Sequence, residues 1–313
     1  MKESDIEIRR MEDADRSQVI DLIFNSTNAW YQKHFKKNVF GGDPIACEIF
    51  TDVYEDLDPG CCLIAEDKGT GQLAGSCFYH PRETHFSLGI MNASPDYFGK
   101  GVATRILDEI ISLAENENLP VRLVSSAMNL DSFSLYTRRG FVPQMTFQDM
   151  FLSVPGDGLD SDPPEQLRRV RDAEPDDAKG MADLEMKLNG IRREKDFAYF
   201  INNESGVWGV SVIESSEGQI TGFLCSVNSS GSKMLGPGIS SDCSDSAALI
   251  YHELNARHRG NAPVFLIPVQ ESELVRTLYG WGAKNCEMHL CQVRGHCPPM
   301  NGVTMPTFMP ETG

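Results

Sequence analysis

The feature that most constrains this chain is an internal repeat. Ile8-Arg-Arg-Met-Glu-Asp-Ala-Asp15 returns as Leu167-Arg-Arg-Val-Arg-Asp-Ala-Glu174, and Gly71-Gln-Leu-Ala-Gly75 as Gly218-Gln-Ile-Thr-Gly222. Leu135-Tyr136 near Gly140 returns as Leu278-Tyr279 near Gly282. Three matches in one order, at offsets of 159, 147 and 143, point to two copies of one fold. The period is domain-sized, so this is a tandem duplication and not a solenoid. A length of 313 residues fits two domains. Val154-Pro-Gly-Asp-Gly-Leu-Asp-Ser-Asp-Pro-Pro164 reads as a linker. The expected organisation is therefore a first copy at 1–152, a linker at 153–165, a second copy at 166–295 and a tail at 296–313.

Charge narrows the partners. There are 28 Lys plus Arg against 45 Asp plus Glu, a formal net charge of -17, which disfavours nucleic acid because phosphate contacts need clustered cations. It suits cationic partners, including amines, through steering. No apolar run nears the roughly 18 residues of a spanning helix, so no membrane partner is expected. The opening residues lack an apolar signal core and the nine cysteines are scattered without a Cys-x-x-Cys pair, giving an expectation of a reducing, cytoplasmic setting. Cys286, His289, Cys291, His296 and Cys297 lie close together, but Asn285 to Val293 reads as a strand whose Cys286 and Cys291 face opposite ways. Core thiols are expected there, and no metal.

The periods of the first copy are legible. Ile6 to Arg10 reads as a strand, and a helix follows with Val19, Leu22 and Ile23 on one face. An aromatic stretch runs from Trp30 to Tyr54. A hairpin turns at Lys68-Gly-Thr-Gly71, and His85 to Ala93 is the next strand. After Ser94 to Gly101, Val102, Ala103, Ile106, Leu107, Ile110, Ile111 and Ala114 recur at helical spacing. Val121 to Ser125 and Val142 to Leu152 are strands about a short helix, Ser132 to Arg139. The fold class is α/β, in the α+β sense of a central mixed sheet flanked by helices, in two tandem copies.

Phe98-Gly-Lys-Gly-Val-Ala103 joins a strand to a helix. Glycines there let backbone N–H groups approach an anion, and a helix N-terminus adds partial positive charge; a plain tight turn is the alternative. A P-loop would need Ser or Thr after the lysine, whereas Gly101 follows Lys100. A dinucleotide fingerprint fits poorly at Thr104 and Leu119, which leaves a nicotinamide enzyme little support.

Pro95-Asp-Tyr-Phe-Gly-Lys-Gly-Val-Ala-Thr104 with its helix resembles the acetyl-CoA loop of the GNAT superfamily of N-acetyltransferases. Twenty-eight residues after Gly101, Asn129-Leu-Asp-Ser-Phe-Ser-Leu-Tyr-Thr-Arg-Arg-Gly-Phe141 matches that family's second signature, including its small residue at Ser132. The resemblance covers residues 5–152, and the repeat extends the fold over 167–294. It implies that the amides of Gly99, Lys100, Gly101, Val102 and Ala103, flanked by Phe98 and Thr104, cradle the diphosphate of acetyl-CoA. It implies that the backbone of Met91, Asn92 and Ala93 pairs with the pantetheine arm, that Asn129 and Ser132 hold that arm, and that Tyr136 protonates the leaving thiolate. Phe98 departs from the Gln or Arg usual there, and Lys100 or Arg105 would have to supply the missing side-chain contact. Core packing for Tyr136 and helix capping for Asn129 are the structural alternatives.

An amine acceptor needs help, because freeing a lysine-like amine at pH 7 costs about 4–5 kcal/mol. Glu83, His85 and His80 are the candidate bases, Glu83 and His85 ranked first. The aromatic stretch falls where the family builds its acceptor pocket, with core packing as the equal alternative. The second copy places Ile239-Ser-Ser-Asp-Cys-Ser-Asp245 where the loop should be, and Gln270-Glu-Ser-Glu273 where Asn129 would recur. Acids there repel a diphosphate, so that copy is expected to bind no coenzyme. The implied activity is transfer of acetyl from acetyl-CoA, as co-substrate, to a small-molecule or peptide amine by direct attack. A homodimer stays open, and so does the rival reading, a non-catalytic acyl-CoA-binding or sensing protein.

Overall fold

The computed structural model describes residues 6–307 and divides into two compact units. The first comprises residues up to 81 and 85–121; the second comprises 82–84 and 122–307.

In the first unit, β1 (Ile6–Arg10), β2 (Cys62–Asp67), β3 (Gln72–Pro81) and β4 (Phe86–Ala93) form an antiparallel sheet in that order. The β2–β3 turn is held by the Asp67 carboxylate, which accepts the Gly69 N–H at 2.9 Å, and by Gly71 at φ 71°. Helices α1 (Arg16–Phe35) and α2 (Glu48–Leu57) come between β1 and β2, and α3 (Val102–Asn116) follows β4. Six apolar residues of α3 recur at spacings of one, three and four from Val102 to Ala114, and all are buried. That stripe docks the helix on the sheet and fixes the direction of its N-terminus. Gly75 allows the approach, since a Cβ there would lie 2.7 Å from Val102 Cγ1.

The second unit runs β5 (Val121–Ser126, all but its first residue), α4 (Leu130–Arg138), β6 (Val142–Phe151), β7 (Val170–Asp172), α5 (Asp177–Asn189) and α6 (Glu194–Asn202). It continues with β8 (Trp208–Glu214), β9 (Ile220–Asn228), β10 (Lys233–Ser240), α7 (Cys243–Arg257), β11 (Val264–Pro268), α8 (Ser272–Gly280), β12 (Lys284–Arg294) and β13 (Val303–Met305). From β7 to β12 the element order β-α-α-β-β-β-α-β-α-β repeats that of β1 to β6. The mixed α/β fold and its duplication are both present.

Two details differ from the sequence reading. Leu167–Arg169 lies in a 3₁₀ turn before β7, so Ile8-Arg-Arg does not superpose on Leu167-Arg-Arg. The true counterpart of Arg9 is Arg171. Arg9 binds Asp15 at 2.6 Å and Glu66 at 2.8 Å, while Arg171 binds Asp177 at 2.6 Å and Glu214. Asp15 also accepts the Glu12 N–H, as Asp177 accepts that of Glu174. The same ion-pair triad is built twice, three residues out of step with the visible match.

The second difference is an exchange of terminal strands. The sheet of the second unit runs β5-β12-β6-β11-β10-β9-β8-β7. Strand β6 ends the first copy, yet it pairs antiparallel with β11 and β12 of the second. Residues 153–165 are mostly exposed and touch the second unit at points: Val154 is buried, Leu159 N–H donates to Asn255 at 2.8 Å, and Tyr251 OH donates to Ser161 O. Of the tail at 296–313, Val303–Met305 forms β13, and residues 308–313 lie outside the described residues. Among the described residues no helix is long and apolar enough to cross a membrane.

Candidate active site

In the first unit the chain leaves β4 through Ser94, makes a 3₁₀ turn at Pro95–Tyr97 and enters α3 behind Gly101. Gly99 and Gly101 hold φ at 73° and 79°, the left-handed region that other L-residues enter only with strain. A Cβ at either would meet nothing within 4 Å, so backbone angle and not internal crowding requires glycine. The N-cap position, Gly101, has no side chain to satisfy the first amides of α3. The first helical bond is Arg105 N–H to Gly101 O, at 3.1 Å. Of the five amides expected to form the cradle, that of Lys100 donates to Tyr97 O at 3.2 Å. Among the described residues no acceptor meets the N–H of Gly99, Gly101, Val102, Ala103 or Thr104. Unsatisfied donors at a helix N-terminus are an anion site in chemical terms.

The loop is anchored from below. Tyr97 OH donates to Asp67 at 2.7 Å, and this bond holds the Asp67 carboxyl below its usual range. Lys100 Nζ sits 4.9 Å from the Tyr97 ring centroid, beside the loop. Arg105 gives part of its guanidinium to Ile6 O at 3.0 Å. Phe98 is 43% exposed at the loop's tip.

The second copy answers the same backbone problem differently. Strand β10 reaches α7 through Ser241 and Asp242 alone, and Asp242 is the N-cap. Its carboxylate accepts the N–H of Ser244 and of Asp245, both at 2.9 Å, and the Ser244 hydroxyl at 2.7 Å. Burial pushes the Asp242 pKa up, but these bonds more than reverse the effect and leave it lowered. Amides left open on α3 are filled on α7 by the chain's own carboxylate.

On β4, Met91, Asn92 and Ala93 pair with Cys77, Ser76 and Gly75 of β3. The register slips between Cys77 and Tyr79, so Gly89 and Ile90 bulge opposite Phe78. The Asn92 side chain is buried and takes the Ser26 hydroxyl of α1 at 2.5 Å. Asn92 Nδ2 and the buried Ser76 hydroxyl have no partner among the described residues. Each such group costs about 1–3 kcal/mol if left dry, which marks this cross-strand pair as a place for water or a ligand's polar atom. Nothing local distinguished Ser26 or Ser76 in the sequence.

The three candidate bases separate. Glu83 belongs to the second unit, where its side chain is 67% exposed and lies 3.5 Å from Arg192. His85 is buried at the foot of β4. His80, ranked below both in the sequence, carries the more developed geometry: Nδ1 lies 2.6 Å from Asp58 Oδ2, with both side chains buried. A Cβ on Gly89 would come within 3.1 Å of His80 Nε2, so this nitrogen faces the bulge of β4. Of the aromatic stretch, Phe50 and Tyr54 are buried and Trp30, Tyr31, Phe35 and Phe40 half-buried; ring contacts run from Phe40 through Phe50 and Tyr54 to Phe78, with Tyr54 also 4.9 Å from His80.

In the second unit, Asn129 caps α4, its Oδ1 accepting the Ser132 N–H at 3.1 Å. Tyr136 is buried on α4, edge-on to Phe141 at 5.7 Å. Cys286 is exposed, at an irregularity of β12, and Cys291 is buried; among the described residues no three His, Cys, Asp or Glu side chains gather to hold a metal.

Residues 25–141 match the model of the acetyltransferase (GNAT) family. No curated protein matches by sequence. Solved structures do match by fold. A Pyrococcus horikoshii protein assigned as an acetyltransferase superposes with TM-score 0.76 at 11% identity, over 99% of this chain and 97% of its own. A GCN5-related N-acetyltransferase from Sphaerobacter thermophilus gives 0.64 at 14%, over 95% and 97%. A tandem GNAT protein from the clavulanic acid biosynthesis pathway gives 0.60 at 11%, over 92% and 98%.

Proposed function

We propose, because residues 25–141 match the model of the acetyltransferase (GNAT) family, that the protein is an acetyl-CoA-dependent N-acetyltransferase whose first copy alone takes the coenzyme. The observation that carries this reading is the contrast between two helix N-termini. Among the described residues, the amides of Gly99, Gly101 and the first three residues of α3 meet no acceptor, whereas on α7 Asp242 takes the amides of Ser244 and Asp245. A diphosphate completes the first and competes with a carboxylate at the second.

The reaction is direct attack of a primary amine on the thioester carbonyl: a C–N bond forms, the C–S bond breaks, and the amine proton must leave. Asp58 orients His80 so that Nδ1 carries the proton and Nε2, toward Gly89, is the basic nitrogen. His80 receives the amine proton, directly or through water, in preference to Glu83 and His85. Tyr136 returns a proton to the thiolate, a suitable acid because a phenol is neutral at pH 7 while a thiol ordinarily ionises near pH 8.5. Asn129 spends its carbonyl on the α4 cap and has its amide N–H groups left to offer the pantetheine arm. The excess of acids over bases favours a cationic acceptor, a small molecule or a peptide amine.

Calorimetry with acetyl-CoA and a thiol-release assay over an amine panel test the reading together. One coenzyme per chain with release on at least one amine is expected, and Tyr136→Phe lowers the rate while leaving coenzyme affinity in place. Binding without release on any amine refutes the enzyme and leaves an acyl-CoA-binding protein. Absence of binding refutes both.

A further inference from the structure

The strand β13 holds a place that its counterpart in the first copy leaves open. It pairs antiparallel with the last three residues of β10: Val303 with Ser240, Thr304 with Ile239, Met305 with Gly238. An offset of 147, the same that relates Gly71 to Gly218, carries Met91–Ala93 onto Gly238–Ser240. These are the closing residues of β4 and β10, ahead of the crossover helix in each copy. Strands β10 and β11 are parallel but register only at Met234 and Val264; farther along, the edge of β10 is taken by β13.

The slot is shaped for a backbone. A Cβ on Gly236 would lie 2.7 Å from Pro306 O, and one on Gly238 3.0 Å from Met305 Cε. A Cβ on Gly302 would lie 2.4 Å from Ser240 O. Glycine on both sides of the contact lets two main chains meet where side chains would hold them apart. Specificity comes from uncharged side chains: Val303, Thr304, Met305 and Thr307 are buried, and the Thr304 hydroxyl donates to the Asn189 side-chain carbonyl at 2.9 Å. The cavity of about 690 Å³ beside Gly302 and Val303 is lined by Asp162, Asp242, Glu271 and Trp281. Its charge repels a diphosphate and is indifferent to a neutral peptide.

We propose that the second copy is a peptide-binding domain, and that its resident ligand is the chain's own segment Gly302–Thr307, added as a strand to β10. The binding mode is strand addition: main-chain hydrogen bonds hold the ligand, and alternate side chains enter the sheet. Its ligand class is an extended, uncharged peptide of the pattern Gly-Val-Thr-Met-Pro-Thr. The comparison with coenzyme rests on the proposed function of the first copy; the peptide slot itself does not.

The test uses the full chain with a protease site inserted at the exposed Gly295–His296, cut only after folding. A fluorescent peptide of residues 301–313 is the probe. The cut chain is expected to take up the probe saturably and to report it through Trp281 emission, while the uncut chain takes up at least tenfold less. A probe carrying Thr304→Pro, which loses an N–H and the Asn189 contact, is expected not to bind. A cut chain that stays folded and takes up no probe overturns the proposal. So does a second equivalent of coenzyme bound after cutting. Should cutting unfold the protein, hydrogen exchange on the intact chain decides: Gly238–Ser240 and Val303–Met305 must exchange together and ahead of β9. Exchange of both only with the whole sheet overturns it. A chain that takes up the probe on cutting but binds no coenzyme at all refutes the proposed function and leaves this one standing.

Discussion

Gly101→Ala and Gly99→Ala separate a structural glycine from a ligand-facing one. Both residues hold positive φ, at 79° and 73°, and so do Gly71 and Gly218, at 71° and 75° in the two β-hairpin turns. A Cβ at any of the four meets nothing within 4 Å. Each alanine therefore carries the same internal cost, about 1–2 kcal/mol for a left-handed L-residue. Reduced freedom of the unfolded chain offsets about 0.4–1 kcal/mol of it. The net loss is about 1 kcal/mol at every position, which urea titration should read as four similar midpoint shifts. Coenzyme binding should not be uniform. A methyl group at Gly99 or Gly101 stands among amides that would meet a diphosphate, and one charged hydrogen bond lost is worth about 1.5–3 kcal/mol. Affinity measured by calorimetry should fall roughly tenfold or more for those two variants. Gly71→Ala and Gly218→Ala should bind as the parent does. Parental affinity in Gly101→Ala, or equal losses in the controls, would refute the placement of the diphosphate at α3.

Two further outcomes follow from buried groups. His258 ends α7 fully buried, neither ring nitrogen has a partner among the described residues, and burial, helped by Arg257 and Lys233, pushes its pKa down to about 4. Between that value and an unfolded value near 6.5 the unfolded chain holds a proton that the native one lacks, so stability is lost as the pH is lowered from 6.5 to 4, by about 3 kcal/mol in all. His258→Leu should flatten that part of the stability–pH curve in urea titrations at pH 7 and pH 4.5; an unchanged slope rejects the assignment. Asp58→Asn should cut thiol release on the order of 10²-fold with coenzyme affinity unchanged, since it removes the group that orients His80. A retained rate would move the base elsewhere.

What was legible in the sequence is what local patterns encode. The loop around Gly99 and Gly101 stands out because positive φ and an amphipathic helix each leave a mark within a few residues. Pairings across long separations leave no such mark. Asp58 and His80 sit on different elements, and only the fold brings their side chains to 2.6 Å. The strands β6 and β12 each alternate as strands should, yet nothing in either names its neighbours, and the two ended up side by side. The repeat itself was visible but misaligned at its start, because Arg9 and Arg171 are matched by their ion pairs with Asp15 and Asp177 rather than by adjacent residues.

The two copies parted most consequentially at a single kind of position, the N-cap of the crossover helix. Every helix begins with amides that its own ladder cannot satisfy. A copy that places Gly101 there leaves the demand to be met from outside, by a diphosphate if the proposed function holds. A copy that places Asp242 there meets part of the demand from within, at 2.9 Å to two amides. The second copy's acids then act less by repulsion at a distance than by occupying donors, a reading the sequence alone could not reach, since charge is visible in it and hydrogen-bond geometry is not. With two of those amides filled by Asp242, the proposed function leaves the edge of β10 without a coenzyme, and Val303–Met305 pairs there as a strand.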